Sequence, residues 1–253
     1  MLHFLRLLAL SLCLPVSAMI QAETLIFGDE NYPPVIYLNA DGQPAGLLAE
    51  VLGHFAALSG EPVNLRLYPW KRAYASALSA QGGVIGLSKT DERLALFDYS
   101  APIYDDNINV VVLKGREFAF ASLEDLAGRK IGVQLGASYG SQVDAAIAAG
   151  QIVVETDQTH VARMRKLLHG RVDAAFLGNG KLGLQTLLKS DPELAAHQDR
   201  FVILERPLVH DSLYLGFAKS MNKRAFLAEF NRALEDARIR QGLSGLIDTT
   251  AQP

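Results

Sequence analysis

Ser88 stands five positions before Arg93 in the stretch GLSKTDERLALFDYSAPIY, which runs from Gly86 to Tyr104. A guanidinium is permanently charged, and its planar fork matches a carboxylate in bidentate fashion. A serine hydroxyl and nearby backbone N–H groups can fill the remaining lone pairs, so the two residues have the makings of a carboxylate clamp. The same segment also suits an ordinary solvated surface pair between Glu92 and Arg93. Two other patterns suggest chemistry. Gly136-Ala137-Ser138-Tyr139-Gly140 matches G-x-S-x-G, and Asp173 and His210 follow it in the chain order of an α/β-hydrolase triad. No HGGG-type oxyanion segment precedes it. Gly178, Gly180 and Gly183 satisfy G-x-G-x-x-G, a short pattern that arises readily by chance in a glycine-rich chain. The histidines at 54, 160, 169, 197 and 210 form no i,i+4 pair and have no cysteine partner, so no metal site is expected.

The elements that must position these residues alternate. TLIFG, VNLRLY, VIGLS, KIGVQLG, IVVET, VDAAFLG and FVILE read as strands. GLLAEVLGHFAALSG, KRAYASALSA, SQVDAAIAA, VARMRKLL and KLGLQTLL read as amphipathic helices between them. VIGLS delivers Ser88 at its carboxyl end, and the apolar-aromatic run ending at Pro102 and Tyr104 reads as extended. SLEDL opens with Ser122 and Asp125 in capping-box spacing. INVVVLKG and SLYLGFAK have the character of strands linking two halves, and FLAEFNRALEDARIRQGL reads as a closing helix. Strand and helix in turn predict α/β layers.

Residues 1–22 carry one charge, Arg6, then the apolar run LLALSLCL, then Ser17, Ala18 and Ala22 in positions that suit signal-peptidase cleavage. This predicts a secreted chain. The lone cysteine, Cys13, lies inside that segment behind the bulky Leu12, so no lipid anchor, thiol chemistry or disulfide is expected in the mature chain. Removing Arg6 leaves 23 basic against 27 acidic residues, a net charge of −4. That balance argues against a nucleic-acid or anionic-membrane partner.

Placed on these elements, DENYPP, ADGQPAG, Trp70, SKTDER, FDYSAPIY, SLEDLAGRKIGVQLGASYG and GRVDAAF occur in an order that resembles the bacterial extracellular solute-binding proteins of family 3. These are periplasmic amino-acid receptors that serve uptake transporters. The resemblance implies a two-lobed α/β fold of the type II periplasmic-binding kind, with two extended crossovers and a ligand enclosed on closure. It places the first lobe at residues 23–109 plus 211–253 and the second at 110–210. It further implies a monomer in the periplasm, without cofactor or catalysis, that hands a small carboxylate-bearing solute to ABC-type membrane subunits.

Carried over one by one, Ser88 and Arg93 fall on the pair that grips the ligand α-carboxylate. Ser138 falls where the second lobe adds a hydroxyl at a helix N-terminus. Asp29 and Tyr32 fall on the side-chain pocket, Trp70 on its apolar wall, and Gly86 where a backbone carbonyl takes the ligand ammonium. Gly178 is a departure, because the family carries an acid there to neutralise that ammonium. Asp29, Glu30, Asp105 or Asp106 must then substitute, or the ligand is not an ordinary α-amino acid. Leu48 and Ala49 replace another acid usual after ADGQPAG. Two readings differ from uptake: a cyclohexadienyl-dehydratase-like enzyme using Glu155 or Asp157 as a cleft acid, and a receptor that senses without transport.

Overall fold

A computed structural model describes residues 23–236. The predicted signal segment with Cys13, and the end of the closing helix beyond residue 236, lie outside the described residues. The first half begins with β1 (Thr24–Asp29) and a small antiparallel sheet of β2 (Asn31–Tyr32), β3 (Ile36–Leu38) and β4 (Pro44–Ala45). Helix α1 (Leu47–Ser59) follows because Leu48, Val51, Leu52 and Phe55 recur at helical spacing and all are buried. Gly60 ends it in the left-handed region at φ 72°, returning its N–H to the Ala56 carbonyl. Then come β5 (Val63–Tyr68), α2 (Trp70–Leu78), β6 (Gly83–Leu87), α3 (Asp91–Leu96) and β7 (Phe97–Tyr99).

The long strand β8 (Tyr104–Leu113) leads into the second half. There a 3-10 turn at Leu123–Leu126 carries the capping box of Ser122 and Asp125. It is followed by β9 (Lys130–Gln134), α4 (Ser141–Ala148), β10 (Val153–Asp157), α5 (His160–Leu168), β11 (Ala174–Leu177), α6 (Gly180–Lys189), α7 (Pro192–Ala196) and β12 (Phe201–Ile203). Strand β13 (Val209–Ala218) returns, and α8 (Arg224–Leu234) packs on the first half.

One curled mixed sheet runs β10-β9-β11-β8-β13-β6-β1-β5. Its centre is the antiparallel pairing of the two long strands, from Tyr104 opposite Leu213 to Ile108 opposite Val209. Beyond that shared ladder the strands diverge: β8 continues into pairing with β11 and β12, and β13 with β6 and β7. The fold is therefore two-lobed, with only two extended strands crossing between lobes. Each lobe has its own apolar layers. Phe55 meets Phe226 and Phe230 edge-on at 5.1 and 5.3 Å, fixing α8 against α1. Such aromatic pairs each add about 0.5–1.5 kcal/mol beyond the area they bury. In the other lobe Val110, Val112, Ile131 and Phe176 pack on one sheet face, and Met164, Leu177, Leu184 and Leu187 on the other.

The extended reading of the run after Arg93 is corrected for residues 94–96. DERLAL forms α3, because Thr90 caps it by accepting the Arg93 N–H at 3.1 Å and acids fill its first turn. The strand signal is confined to β7, and Tyr104 starts β8.

Candidate functional site

All eight residues singled out from the sequence line one cavity of about 70 Å³ at the junction of the lobes. At roughly 10–15 Å³ per water, that holds a handful of waters or a small solute in their place. The ends of β1 and β6, the start of α2 and the middle of β13 form its wall on one side. The end of β9, the loop before α4, the start of α5 and the end of β11 form the other.

Arg93 is 5% exposed. Its guanidinium lies 4.8 Å from the Tyr74 ring centroid and 6.0 Å from that of Trp70, and Nη1 reaches the Ser88 carbonyl at 3.4 Å. Among the described residues no carboxylate lies within the 4.0 Å of an ion pair. The solvated pairing of Glu92 and Arg93 is thus not formed. Ser88 is buried one residue beyond β6, where its side chain holds down the Asp211 pKa that burial raises. Gly86 sits where the ladder to β13 slips, between Ile85 opposite Leu215 and Leu87 opposite Tyr214, at φ 85°. That is a bulge conformation suited to glycine.

Several contacts cross the cleft. Gln134 Nε2 donates to Asp29 Oδ2 at 2.6 Å, and Trp70 Nε1 donates to the Gly136 carbonyl at 3.0 Å. The Tyr32 ring stacks on His160 with centroids 5.3 Å apart, and the Tyr104 hydroxyl bonds Asn179. Burial pushes the Asp29 carboxyl up to about 6, against the bonds from Gln134 and the Asn31 N–H. Ser138 is committed locally: its hydroxyl bonds Asp144, whose other oxygen accepts the Tyr139 N–H at 2.9 Å.

The environment of Gly178 explains its missing side chain. A Cβ there would lie 1.8 Å from the Tyr32 hydroxyl and 2.5 Å from Asp106 Oδ2. Of the four acids proposed as substitutes, Asp106 occupies that space. It points inward from β8, accepts the Tyr32 hydroxyl on Oδ2 and the Asn179 N–H on Oδ1 at 2.6 Å, and is almost wholly buried. Burial raises its pKa despite those bonds. Asp29 also lines the cavity, whereas Asp105 is exposed and bonded to Ser212, and Glu30 is not on its wall. Asp211, opposite Asp106 in the crossover ladder, is raised to about 6, again by burial first.

The sequence reading missed Asp211, Gln134, His160 and Arg163, all on the cavity wall. For the last two a signal existed. His160, Arg163, Met164, Leu167 and Leu168 form the buried stripe of α5, so two polar residues occupy core positions.

The hydrolase triad is not assembled. Ser138 is paired with Asp144, Asp173 accepts the Lys130 N–H at 2.8 Å, and His210 contacts Asn107. Glu155 and Asp157 lie off the cavity in a network with Lys166. Bonding to Lys166 holds Glu155 below the usual carboxyl range, the opposite of what a general acid needs. Among the described residues no cluster of His, Cys, Asp and Glu suits a metal ion, and no helix is long and apolar enough to cross a membrane.

Comparison with known proteins matches the chain to one family and one fold. The family of bacterial extracellular solute-binding proteins, family 3, matches residues 25–248. The L-cystine-binding protein TcyJ of Escherichia coli is 29% identical over 181 residues, which are 70% of this chain and 67% of that protein. A histidine kinase sensor domain with similarity to periplasmic binding proteins superposes with a TM-score of 0.75 at 20% identity, over 90% of this chain and 96% of that one. The substrate-binding protein of an amino acid ABC transporter superposes with a TM-score of 0.70 at 19% identity, over 92% and 100%.

Proposed function

The chain belongs to the bacterial extracellular solute-binding proteins, family 3, and from that premise we propose that it captures a small carboxylate-bearing polar solute, an amino acid or close relative, in the cleft between its lobes. The observation that carries this reading is Arg93, buried at the cavity wall with no carboxylate paired to it among the described residues. A buried guanidinium cannot neutralise itself by losing a proton, and leaving it unpaired is costly. A carboxylate arriving from solution supplies the missing charge.

In this reading Arg93 and Ser88 hold the ligand carboxylate, Trp70 and Tyr32 wall the cleft, and the Gly86 carbonyl faces the amino end. Asp106 takes over from the family's acid at Gly178 as the charge that meets an ammonium. Ser138 contributes through the loop it holds to Asp144, not through a free hydroxyl. Residues 23–109 plus 211–253 move as one lobe and 110–210 as the other, hinged on the crossover ladder. The ligand favours the closed state by touching both lobes at once. Family membership supports release to ABC-type membrane subunits in the periplasm; the sensor domain of the same fold supports signalling as the second reading, and both need the same closed form.

A thermal-shift screen of the mature protein against amino acids, polyamines and organic acids tests the reading. At about 100 times its dissociation constant a true ligand adds about 2.7 kcal/mol. At about 2–4 °C per kcal/mol, Tm rises by roughly 5–10 °C. A shift with polyamines and none with any carboxylate rejects the proposal.

A further inference from the structure

Arg163 is the largest fully buried side chain of the described residues, at 1% exposure, and it faces the same cavity as Arg93. Its stem is accommodated by Gly132 on β9, where an added Cβ would meet Arg163 Cγ at 2.9 Å. One nitrogen, Nη2, contacts His160 Nδ1. Nε and Nη1 are buried and have no partner, and no carboxylate lies within ion-pair distance among the described residues. Asp29 is the acid whose carboxyl feels Arg163, yet its two oxygens are bonded to Asn31 and Gln134.

His160 makes the cluster donor-only. Burial first, then the charge of Arg163, drive its pKa well below the ordinary histidine value, so the ring is neutral. With Nδ1 accepting from the guanidinium, the ring proton sits on Nε2, which is also buried without a partner. The Nε–H and Nη1 hydrogens of Arg163 and the Nε2–H of His160 all lack acceptors. Such a group stays charged at any working pH, and among the described residues no acid forms an ion pair with it.

We infer that Arg163 and His160 form a second anion-binding subsite in the interlobe cavity, so that the captured solute carries two acidic groups, one for Arg93 and one for Arg163. The inference rests on the proposed solute-binding reading and narrows its ligand class to compact dicarboxylates: acidic amino acids or their deaminated relatives. Arg93 and Arg163 both line one small cavity, so one solute can meet both. Because the subsite sits on α5 and the clamp on α3, the two acidic groups bridge the lobes and select the closed form.

Calorimetry in low-chloride buffer tests this with matched pairs: glutamate against glutamine, aspartate against asparagine, and succinate against succinamate. The diacid of the best pair should bind at least about 30-fold tighter than its monoamide. That is the fold-change for about 2 kcal/mol, the low end of leaving a buried charge unpaired. Arg163→Met should bring that ratio close to one, with circular dichroism confirming that the variant folds. If it does not fold, the wild-type ratio decides. A monoamide or a neutral amino acid that binds as tightly as the diacid overturns the second subsite, and if that binding is lost in Arg93→Ala the clamp reading stands alone. An adventitious ion at Arg163 gives the same ratio near one. Binding of no carboxylate at all removes the clamp and the subsite together.

Discussion

Replacing Gly178 by alanine probes how the Tyr32 and Asp106 pair displaced the family's acid. Gly178 has no left-handed φ, so the substitution carries no backbone strain of that kind and its effect is steric. The new Cβ would lie 1.8 Å from the Tyr32 hydroxyl, and ordinary heavy-atom contact needs about 3.5 Å. The hydroxyl must retreat by roughly 1.5 Å or more, which breaks its bond to Asp106. A hydrogen bond to a charged group contributes about 1.5–3 kcal/mol, and overpacking adds about 1–3. Gly178→Ala should therefore cost about 2.5–6 kcal/mol and Tyr32→Phe about 1.5–3. The double variant should cost no more than about 4, because the bond is lost once and phenylalanine lacks the oxygen that clashes. Urea unfolding with unchanged m-values gives the cycle, with an expected coupling of at least about 1.5 kcal/mol. Costs that add to within about 0.5 kcal/mol would show that Tyr32 and Asp106 do not fill the space at Gly178.

Three further outcomes follow from the same geometry. Asp29 sits at about 6 rather than 3.8, so between about pH 4 and 6 the folded protein holds a proton that the unfolded chain has released. The stability this lends is complete below about pH 4 and is lost as pH rises through 6. Asp29→Asn should gain up to about 2–3 kcal/mol relative to the parent between pH 4 and 7, at about 1.4 kcal/mol per pKa unit; a flat difference in chemical denaturation refutes the assignment. Trp70→Phe removes the donor to the Gly136 carbonyl, costing the closed form about 0.5–1.5 kcal/mol and ligand affinity about two- to tenfold. Unchanged affinity by calorimetry would mean that this contact does not hold the cleft. Ser88→Ala should raise the Asp211 pKa above its value of about 6, because burial lifts that carboxyl and Ser88 opposes it; carboxyl-carbon NMR titration reads the change, and no shift denies that Ser88 acts on Asp211.

The parts of the fold that were legible in the sequence are those whose periodicity reports burial. Helix α1 was readable from its apolar stripe, β6 from its buried run, and the two crossovers from their β-branched and aromatic character. Helix α3 was misread because its six residues are too few for a periodic signal, although Thr90 followed by Asp91 and Glu92 is a capping pattern. Helix α7 carried an equally readable start, Asp191 as cap and Pro192 at the first position, and went unread. Strands β2 to β4 have two or three residues each, too short to alternate. For the site, the order of short motifs brought eight positions to one cavity, which no single motif could do. Asp106 was one of four candidates, and period-two alternation from buried Tyr104 through exposed Asp105 points to it as the inward one. Arg163 escaped because a charge on a helix is ordinarily read as solvated, and only its place on the buried stripe of α5 says otherwise.

The central claim is that a carboxylate from solution completes the buried Arg93. Calorimetric titration of the best carboxylate from the thermal screen into the parent protein and into Arg93→Ala tests it most directly. Losing one partner of a buried charge pair costs about 2–5 kcal/mol, so affinity should fall by at least about 30-fold. Affinity held within about twofold would contradict the account.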